Sequence, residues 1–167
     1  MKTQQDLFSY LDSLGISHST VTHEPLFTVQ DRSAAVDALP GAHCKNLFLK
    51  DDNKQFWLLV ALQHTQIKLK PFGKSVGAPN LRFAKEDMLK KYLGVTPGAV
   101  TPFGLINDQE HAVRVVVDQE IFKHAVVNFH PLVNTATTTI SADDFKKFLA
   151  SIGNNVQIVD LSAIAQI

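Results

Sequence analysis

Seven consecutive apolar residues, Phe56 to Leu62 (FWLLVAL), constrain the fold of this chain more than any other stretch. A strand with one solvated face alternates polar and apolar residues, whereas an unbroken apolar run is typical of a strand covered on both faces. The run follows a polar turn at residues 51–54 and a first strand pattern at residues 44–50. We therefore predict a hairpin whose second strand lies inside a covered sheet.

Helical and strand patterns alternate along the rest of the chain. Apolar residues at helical spacing behind capping residues predict helices after Thr3, after Thr28 and after Ser141, and a further helix at residues 84–93. Further strands are predicted at residues 17–22, 112–117, 125–129, 137–140 and 156–161. The stretches 68–76 and 95–105, which contain Gly and Pro, are predicted to be loops. These patterns indicate one α/β domain, residues 1–167, with a largely central mixed sheet.

Composition narrows the class of protein. A single cysteine, Cys44, excludes an internal disulfide and a cysteine-based zinc cluster, and it fits a reducing compartment. No apolar run approaches the roughly 20 residues that span a bilayer, so we expect a cytoplasmic protein that does not enter the membrane. The chain has no evident exposed apolar stripe, which favours a monomer.

Charge is unevenly distributed although the formal net charge is zero. The balance argues against a protein that grips long nucleic acid by electrostatics alone. Residues 68–91, however, carry seven basic and two acidic side chains. This run is either a solvated helix face with a polar loop or a local phosphate-binding patch. Under the second interpretation, Lys74 and Arg82 are the candidate phosphate-binding residues.

Three polar residues are candidates for chemistry. His130 ends an apolar strand pattern, and Pro131 biases it away from helix, so its imidazole is expected at a strand end. Lys45 and Asn46 begin the first strand of the predicted hairpin. Because adjacent strand residues point to opposite faces, both could line one pocket only at a bulge or a strand end.

The familiar catalytic constellations are missing from the sequence. Cys44 beside Lys45 permits a thiolate nucleophile assisted by His130, although no surrounding signature supports it and a free cysteine is usually a small core residue. The histidine spacings do not match a metal site, and no glycine-rich phosphate loop occurs. We accordingly expect neither a metal nor a cofactor.

Three segments taken together resemble a known family. They are KNLFL from Lys45, the Gly98-x-x-x-Pro102 segment inside TPGAVTPFGLIND, and NFHPLVNTATTTI from Asn128. In this order they resemble the YbaK/prolyl-tRNA-synthetase-associated domain family, from about residue 23 to residue 149. The amino-acid sequences of the last two segments are most similar to those of the freestanding editing proteins of the family.

The resemblance implies a mixed sheet, partly curled into a barrel and flanked by helices. It also implies an aminoacyl-tRNA hydrolase that removes alanine from mischarged tRNA(Pro) without a metal or cofactor. The partner would be the acceptor end of the tRNA, with a transient contact to prolyl-tRNA synthetase. Lys45 would stabilise negative charge, Asn46 would orient the substrate, and His130 would be a general base or a ribose contact.

Selectivity would follow from the size of the amino-acid pocket. A pocket that accepts a methyl group but excludes a pyrrolidine ring would spare correctly charged prolyl-tRNA. The resemblance implies that this pocket is shaped by the segment around Gly98 and by aromatic walls. The residues assigned to it are Phe27, Thr28, Gly98, Thr101, Pro102, Phe103, Gly104 and Phe129.

Three alternatives remain open from the sequence. The same fold could remove cysteine or serine from a mischarged tRNA. It could also be a non-catalytic tRNA-binding or regulatory module that has kept the fold. The third alternative is a thiol hydrolase that uses Cys44, and it alone predicts that replacing this residue abolishes activity.

Overall fold

A computed structural model describes residues 1–26 and 34–164. The strands are β1 Ser19–Thr22, β2 Ala42–Lys50, β3 Phe56–Leu62, β4 Arg82–Phe83, β5 Val113–Asp118, β6 Val126–Phe129, β7 Ala136–Ser141 and β8 Val156–Val159. These eight strands form one mixed sheet in the order β1-β7-β6-β2-β3-β5-β8, and β4 pairs with β2 outside this path. Three neighbouring pairs are parallel, β2/β6, β3/β5 and β5/β8, and the other pairs are antiparallel. Among the described strands no pair joins β1 to β8, so the sheet is mixed as expected but is not a closed barrel.

Helices flank the sheet. They are α1 Gln4–Ser13, α2 Ala34–Asp37, α3 Leu69–Val76, α4 Glu86–Leu93, α5 Ala142–Ser151 and α6 Leu161–Ile164, with 3₁₀ helices at Pro97–Ala99, Pro102–Asn107 and Gln119–Lys123. The predicted capping box of α1 is present, because the Thr3 hydroxyl accepts from the backbone N–H of Asp6 and the Asp6 carboxylate accepts from that of Thr3. In the two described ranges no helix is long and apolar enough to cross a membrane.

Strand β3 is buried along its whole length, as the apolar run predicted. Phe56, Leu58, Val60 and Leu62 belong to one hydrophobic cluster, which we call the first core. Helices α1, α4 and α5 and the 3₁₀ helix Pro102–Asn107 contribute side chains to the first core. The alternate residues of β3, Trp57, Leu59 and Ala61, belong to a second hydrophobic cluster on the other face, which we call the second core. Helices α3 and α6 contribute Phe72 and Leu161 to it. The sheet is therefore covered on both sides of β3.

A buried carboxylate holds the turn between β2 and β3. Asp51 is only 2% exposed, and it accepts hydrogen bonds from the backbone N–H groups of Asn53 and Gln55. It also accepts from the indole N–H of Trp57 at 3.0 Å. The turn and the second core are thereby tied together, and each of these polar groups is satisfied.

The structure corrects two sequence predictions. Residues 68–76 were expected to be a loop, but they contain α3. Gly73 lies inside this helix. A Cβ at this position would come within 2.7 Å of the Ala78 carbonyl oxygen, so the glycine permits close packing and does not end the helix. The last strand stops at Val159 rather than continuing to Leu161, which begins α6. The capping residue predicted at Thr28 lies outside the described residues.

The stretch 95–105 is compact. It contains the 3₁₀ helix Pro97–Ala99 and the start of a second one, which Thr101 caps by accepting from the backbone N–H of Phe103. The Phe103 ring makes edge contacts with Phe129 and Phe148, with centroids 5.7 and 5.4 Å apart. The stretch is thus anchored in the first core by one aromatic side chain.

Replacing Phe103 with alanine should destabilise the protein by about 3–5 kcal/mol, because it removes a fully buried ring from a packed aromatic cluster. Chemical denaturation of the wild type and the variant would measure this difference. Phe83→Ala is the matched control, since that ring is 64% exposed and its loss should change stability by less than about 0.5 kcal/mol. Equal effects of the two changes would contradict the anchoring role of Phe103.

Candidate active site

The face of the sheet that carries the second core is apolar in one part and polar in the other. Leu49 of β2 belongs to the second core, whereas Lys45, on the same face of the same strand, lies opposite Ala61 of β3 and is only partly buried. His43 is the register partner of Asn128 in β6, and Asn128 is the register partner of Thr139 in β7, so these residues lie on the same face as Lys45. We call it the polar face; its residues are His43, Lys45, Asn128, His130, Thr137 and Thr139.

The imidazole of His130 is partly buried immediately after β6. Its Nδ1 lies 2.8 Å from the carbonyl oxygen of Ala136, and because a carbonyl only accepts, this nitrogen carries the proton. The Nε2 of the neutral ring is then an acceptor. Burial lowers the pKa of His130 below its ordinary 6.5; the hydrogen bond to Ala136 opposes this shift and the charge of His23 adds to it. The ring is therefore neutral at neutral pH.

His23 stands beside His130, with ring centroids 6.0 Å apart. Its Nδ1 donates to the carbonyl oxygen of Glu24 at 2.7 Å, and its Nε2 accepts from the hydroxyl of Thr137 at 2.8 Å in the neutral ring. His23 is thus a second oriented imidazole at this end of the polar face. The sequence analysis did not identify His23 as a site residue, although a histidine directly after a strand pattern was an available signal.

Asn128 links the N-terminal end of β2 to β6 by hydrogen bonds. Its amide nitrogen donates to the carbonyl oxygens of Pro40 and Ala42 at 2.9 and 3.1 Å, and its amide oxygen accepts from the hydroxyl of Thr139 at 2.6 Å. All these bonds lie in a mostly buried setting, where an unpaired amide would be costly. Sequence reasoning did not single out Asn128 as a site residue; the available signal was one polar residue inside an apolar strand.

Lys45 and His130 lie on the same face of the sheet, on either side of the β2/β6 junction. The parallel register ends at His43↔Asn128, and two residues further along each strand are Lys45 and His130, on the same face. Burial lowers the pKa of the Lys45 ammonium. Within the described residues the ammonium has no hydrogen bond or ion pair, so a cation without a counter-charge lies on the same face as the oriented imidazole of His130.

Strand β2 has an unpaired edge between these residues and β4. On the side away from β3, β6 pairs with residues 42–43 and β4 with residues 49–50. No described strand pairs with residues 44–48 there; we call this stretch the edge gap. The carbonyl of His43 accepts from Gln63 on the β3 side, so alternation points the backbone groups of Cys44 and Asn46 into the edge gap.

The side chain of Asn46 points to the opposite face from that of Lys45. The β2/β3 register runs without a bulge from Cys44↔Leu62 to Lys50↔Phe56, so the two neighbours cannot share a face. Asn46 accordingly points toward the first core, where its Oδ1 is buried without a hydrogen-bond partner among the described residues. The structure thus places Lys45 and His130 on one face of the sheet, and it leaves the Asn46 amide oxygen without a hydrogen-bond partner on the opposite face.

Cys44 is not suited to nucleophilic chemistry. Burial raises the pKa of its thiol to about 12, and the charge of Asp118 acts in the same direction. The thiol therefore stays protonated at neutral pH, whereas a nucleophilic cysteine needs a thiolate. Among the residues that the structure describes, no three His, Cys, Asp or Glu side chains converge in a geometry for a metal ion.

The other predicted site residues lie in different settings. Gly98 is partly exposed, and the pocket residues Thr101, Pro102, Phe103, Gly104 and Phe129 are buried on the side of the first core. Phe27 and Thr28 lie outside the described residues. Lys74 is exposed on α3, and Arg82 on β4 donates to Asp52 at 2.9 Å.

Comparison with known proteins links this geometry to a family. A family model described as an aminoacyl-tRNA editing domain matches residues 23–148. The chain is 35% identical to the prolyl-tRNA editing protein ProX of Acetoanaerobium sticklandii, over 96% of this chain and 99% of that protein. It is 38% identical to the mouse prolyl-tRNA synthetase associated domain-containing protein 1, over 93% of this chain and 94% of that protein.

A solved structure has the same fold. The crystal structure of a proposed trans-editing enzyme for prolyl tRNA synthetase matches this chain with a TM-score of 0.69 at 18% identity. The match covers 96% of this chain and 97% of that one. The mixed sheet with its flanking helices is therefore shared with that structure.

We expect the imidazole of His130 to titrate below 6.5, because burial disfavours its charged form. Since the folded pKa is lower than the unfolded one, the contribution of His130 to stability is complete above 6.5 and is lost as the pH falls through the folded pKa. An NMR titration of the imidazole protons, assigned with a His130→Asn variant, would measure this pKa. A value at or above 6.5 would contradict the buried, neutral state.

Proposed function

The chain belongs to the aminoacyl-tRNA editing domain family, and on that premise we propose that it is a trans-editing hydrolase that removes a mismatched amino acid from tRNA(Pro). The names of the relatives from A. sticklandii and mouse, which refer to prolyl-tRNA editing and to prolyl-tRNA synthetase, support this assignment. The whole chain, residues 1–167, would act as one editing domain. It would work in the cytoplasm, where charged tRNAs are used.

The observation that carries the proposal is that Lys45 and His130 lie on the same face of the sheet beside the edge gap. Ester hydrolysis needs a group that accepts or orients a proton and a group that stabilises the negative charge that develops on the carbonyl oxygen. The free Nε2 of His130 supplies the first, and the ammonium of Lys45 supplies the second. Partial burial strengthens both interactions, because the local dielectric is lower than that of water.

The reaction consumes one water molecule. Water adds to the ester carbonyl, the bond to the ribose oxygen then breaks, and the ribose oxygen takes up a proton to restore the hydroxyl. The amino acid leaves as a carboxylate, and one proton is released to the solvent. Lys45 would stabilise the oxyanion or hold the terminal phosphate. His130 would take a proton from the attacking water, or it would accept a hydrogen bond from the ribose hydroxyl that positions that water.

The substrate would cross the edge gap. The terminal adenosine would lie on the polar face, and the amino acid would reach the side of the first core, where Asn46 and the segment from Gly98 to Gly104 lie. There the unpaired Oδ1 of Asn46 would accept from the α-ammonium group of the substrate. The buried Pro102 and Phe103 leave little freedom to widen this side, which favours alanine over the larger proline.

The partner would be the acceptor end of the tRNA, contacted by a monomer that meets prolyl-tRNA synthetase only transiently. Lys74 and Arg82 are exposed cations that would contact phosphates, although Arg82 would have to share its charge with Asp52. A contact limited to one end of the tRNA needs few cations, which is consistent with zero net charge.

We expect alanine to be the preferred amino acid. Single-turnover hydrolysis of alanyl-tRNA(Pro), with prolyl- and cysteinyl-tRNA(Pro) in parallel, would measure the preference. Rapid loss of alanine alone is the expected result. Faster loss of cysteine would identify cysteinyl-tRNA(Pro) as the substrate of the same site. Binding of tRNA without any hydrolysis would favour a regulatory module instead.

Lys45→Ala should slow deacylation by about 100-fold or more, because a preorganised charge on the developing oxyanion is lost. The same single-turnover assay measures the effect. Two variants serve as matched controls and should keep close to the wild-type rate: Cys44→Ala changes the neighbouring residue, and Lys147→Ala removes an exposed lysine on α5. A wild-type rate in Lys45→Ala would refute its role, and a large loss in Cys44→Ala would revive the thiol mechanism.

A further inference from the structure

One aromatic ring stands exposed at the margin of the edge gap. Phe83 of β4 is 64% exposed, and the other large apolar residues that are exposed in the described ranges are Met1 and Ile158. A single exposed apolar side chain is ordinary on a protein surface. The position of Phe83, rather than its exposure alone, is what suggests a function.

Phe83 and Lys45 lie on the same face of the sheet. Phe83 is the register partner of Leu49 in the antiparallel pair of β4 and β2, so the two side chains share a face. Leu49 follows Lys45 by four residues along β2, which keeps the face and gives a separation of about 13 Å at roughly 3.3 Å per residue. The edge gap separates the ring from Lys45 and His130.

Exposed lysines precede and follow this ring in the chain, on α3 and just before α4. Helix α3 covers this face, because its Phe72 packs in the second core with Leu49, and it carries the exposed Lys70 and Lys74. Lys85 follows Phe83 closely in the chain and is exposed too. These three lysines form no ion pair with any residue in the described ranges. The acidic Glu86 and Asp87 lie in the first turn of α4, and the cations outnumber them.

We propose that Phe83 is a stacking platform for an unpaired base of the tRNA 3′ end, one that precedes the terminal adenosine. An exposed aromatic ring within a cationic surface is the arrangement that proteins use for single-stranded nucleic acid, since every base has a face to stack and the phosphates are neutralised nearby. This inference rests on the proposed function, which puts the terminal adenosine beside Lys45 and His130.

The distance fits the length of the unpaired end. Stacked nucleotides rise about 3.4 Å each, so the three steps back from the terminal adenosine span about 10 Å when stacked and reach about 13 Å when the strand is extended. A tRNA ends in four unpaired nucleotides. With its last one at Lys45, one of the preceding three reaches Phe83 across the edge gap.

The test measures binding rather than hydrolysis. Uncharged tRNA(Pro) carries 2-aminopurine at one of the three unpaired positions before the terminal adenosine, and its fluorescence falls when the base stacks. We expect quenching at one position by the wild-type protein, loss of that quenching in Phe83→Ala, and an affinity lowered by about 5- to 100-fold. Phe83→Trp should restore both readouts. Ile158→Ala is the matched control, because it removes an exposed apolar side chain from β8 at the far edge of the sheet.

The outcomes separate this inference from the proposed function. Unchanged quenching and affinity in Phe83→Ala would overturn the stacking role, whatever the rate of deacylation. The stacking role would also be overturned if Phe83→Ala lowered the affinity equally for intact tRNA and for a tRNA that lacks its four unpaired nucleotides. The contact of Phe83 would then lie elsewhere on the tRNA. Intact, Phe83-dependent quenching in a protein that hydrolyses no charged tRNA would instead overturn the deacylase function and leave the platform.

Discussion

The need to cover β3 on both faces determines the arrangement of most other elements. A strand of seven apolar residues is stable only where helices cover both faces of its sheet. The first core satisfies one face with α1, α4 and α5, and the second core satisfies the other with α3 and α6. The buried Asp51 holds the turn that delivers β3 and bonds to the ring of Trp57, so the central hairpin and its cover are coupled.

The candidate site lies where this cover stops. Beyond Lys45 the second face loses its apolar cover and becomes polar, and Asn128 and Thr139 satisfy each other there instead of packing against a helix. A cation and an imidazole can be held partly buried at such a border because the sheet positions them while water still reaches one side. The position of the candidate site at the edge of the second core thus follows from the same packing that stabilises β3.

Sequence patterns predicted the parts of the fold that depend on local chain properties. The hairpin, the capped helices α1 and α5 and the position of His130 at a strand end all follow from residue order. Helix α3 was missed because Gly73 is selected by close contact with Ala78, which is visible only in three dimensions. The roles of His23 and Asn128 depend on the long-range pairing of β2 with β6 and of β1 with β7. The opposite orientation of Asn46 followed from strand alternation once no bulge was found in β2.

The short junction between β2 and β6 has a consequence for the order of folding. Only residues 42–43 and 127–128 are registered across it, and they are far apart in the chain, whereas the β2/β3 hairpin is local. Closing so long a loop carries a large entropic cost, so we expect this junction to form late. Lys45 and His130 come to lie on one face only when it closes. Under the roles proposed for them, a partly folded or newly synthesised chain would have no deacylase activity.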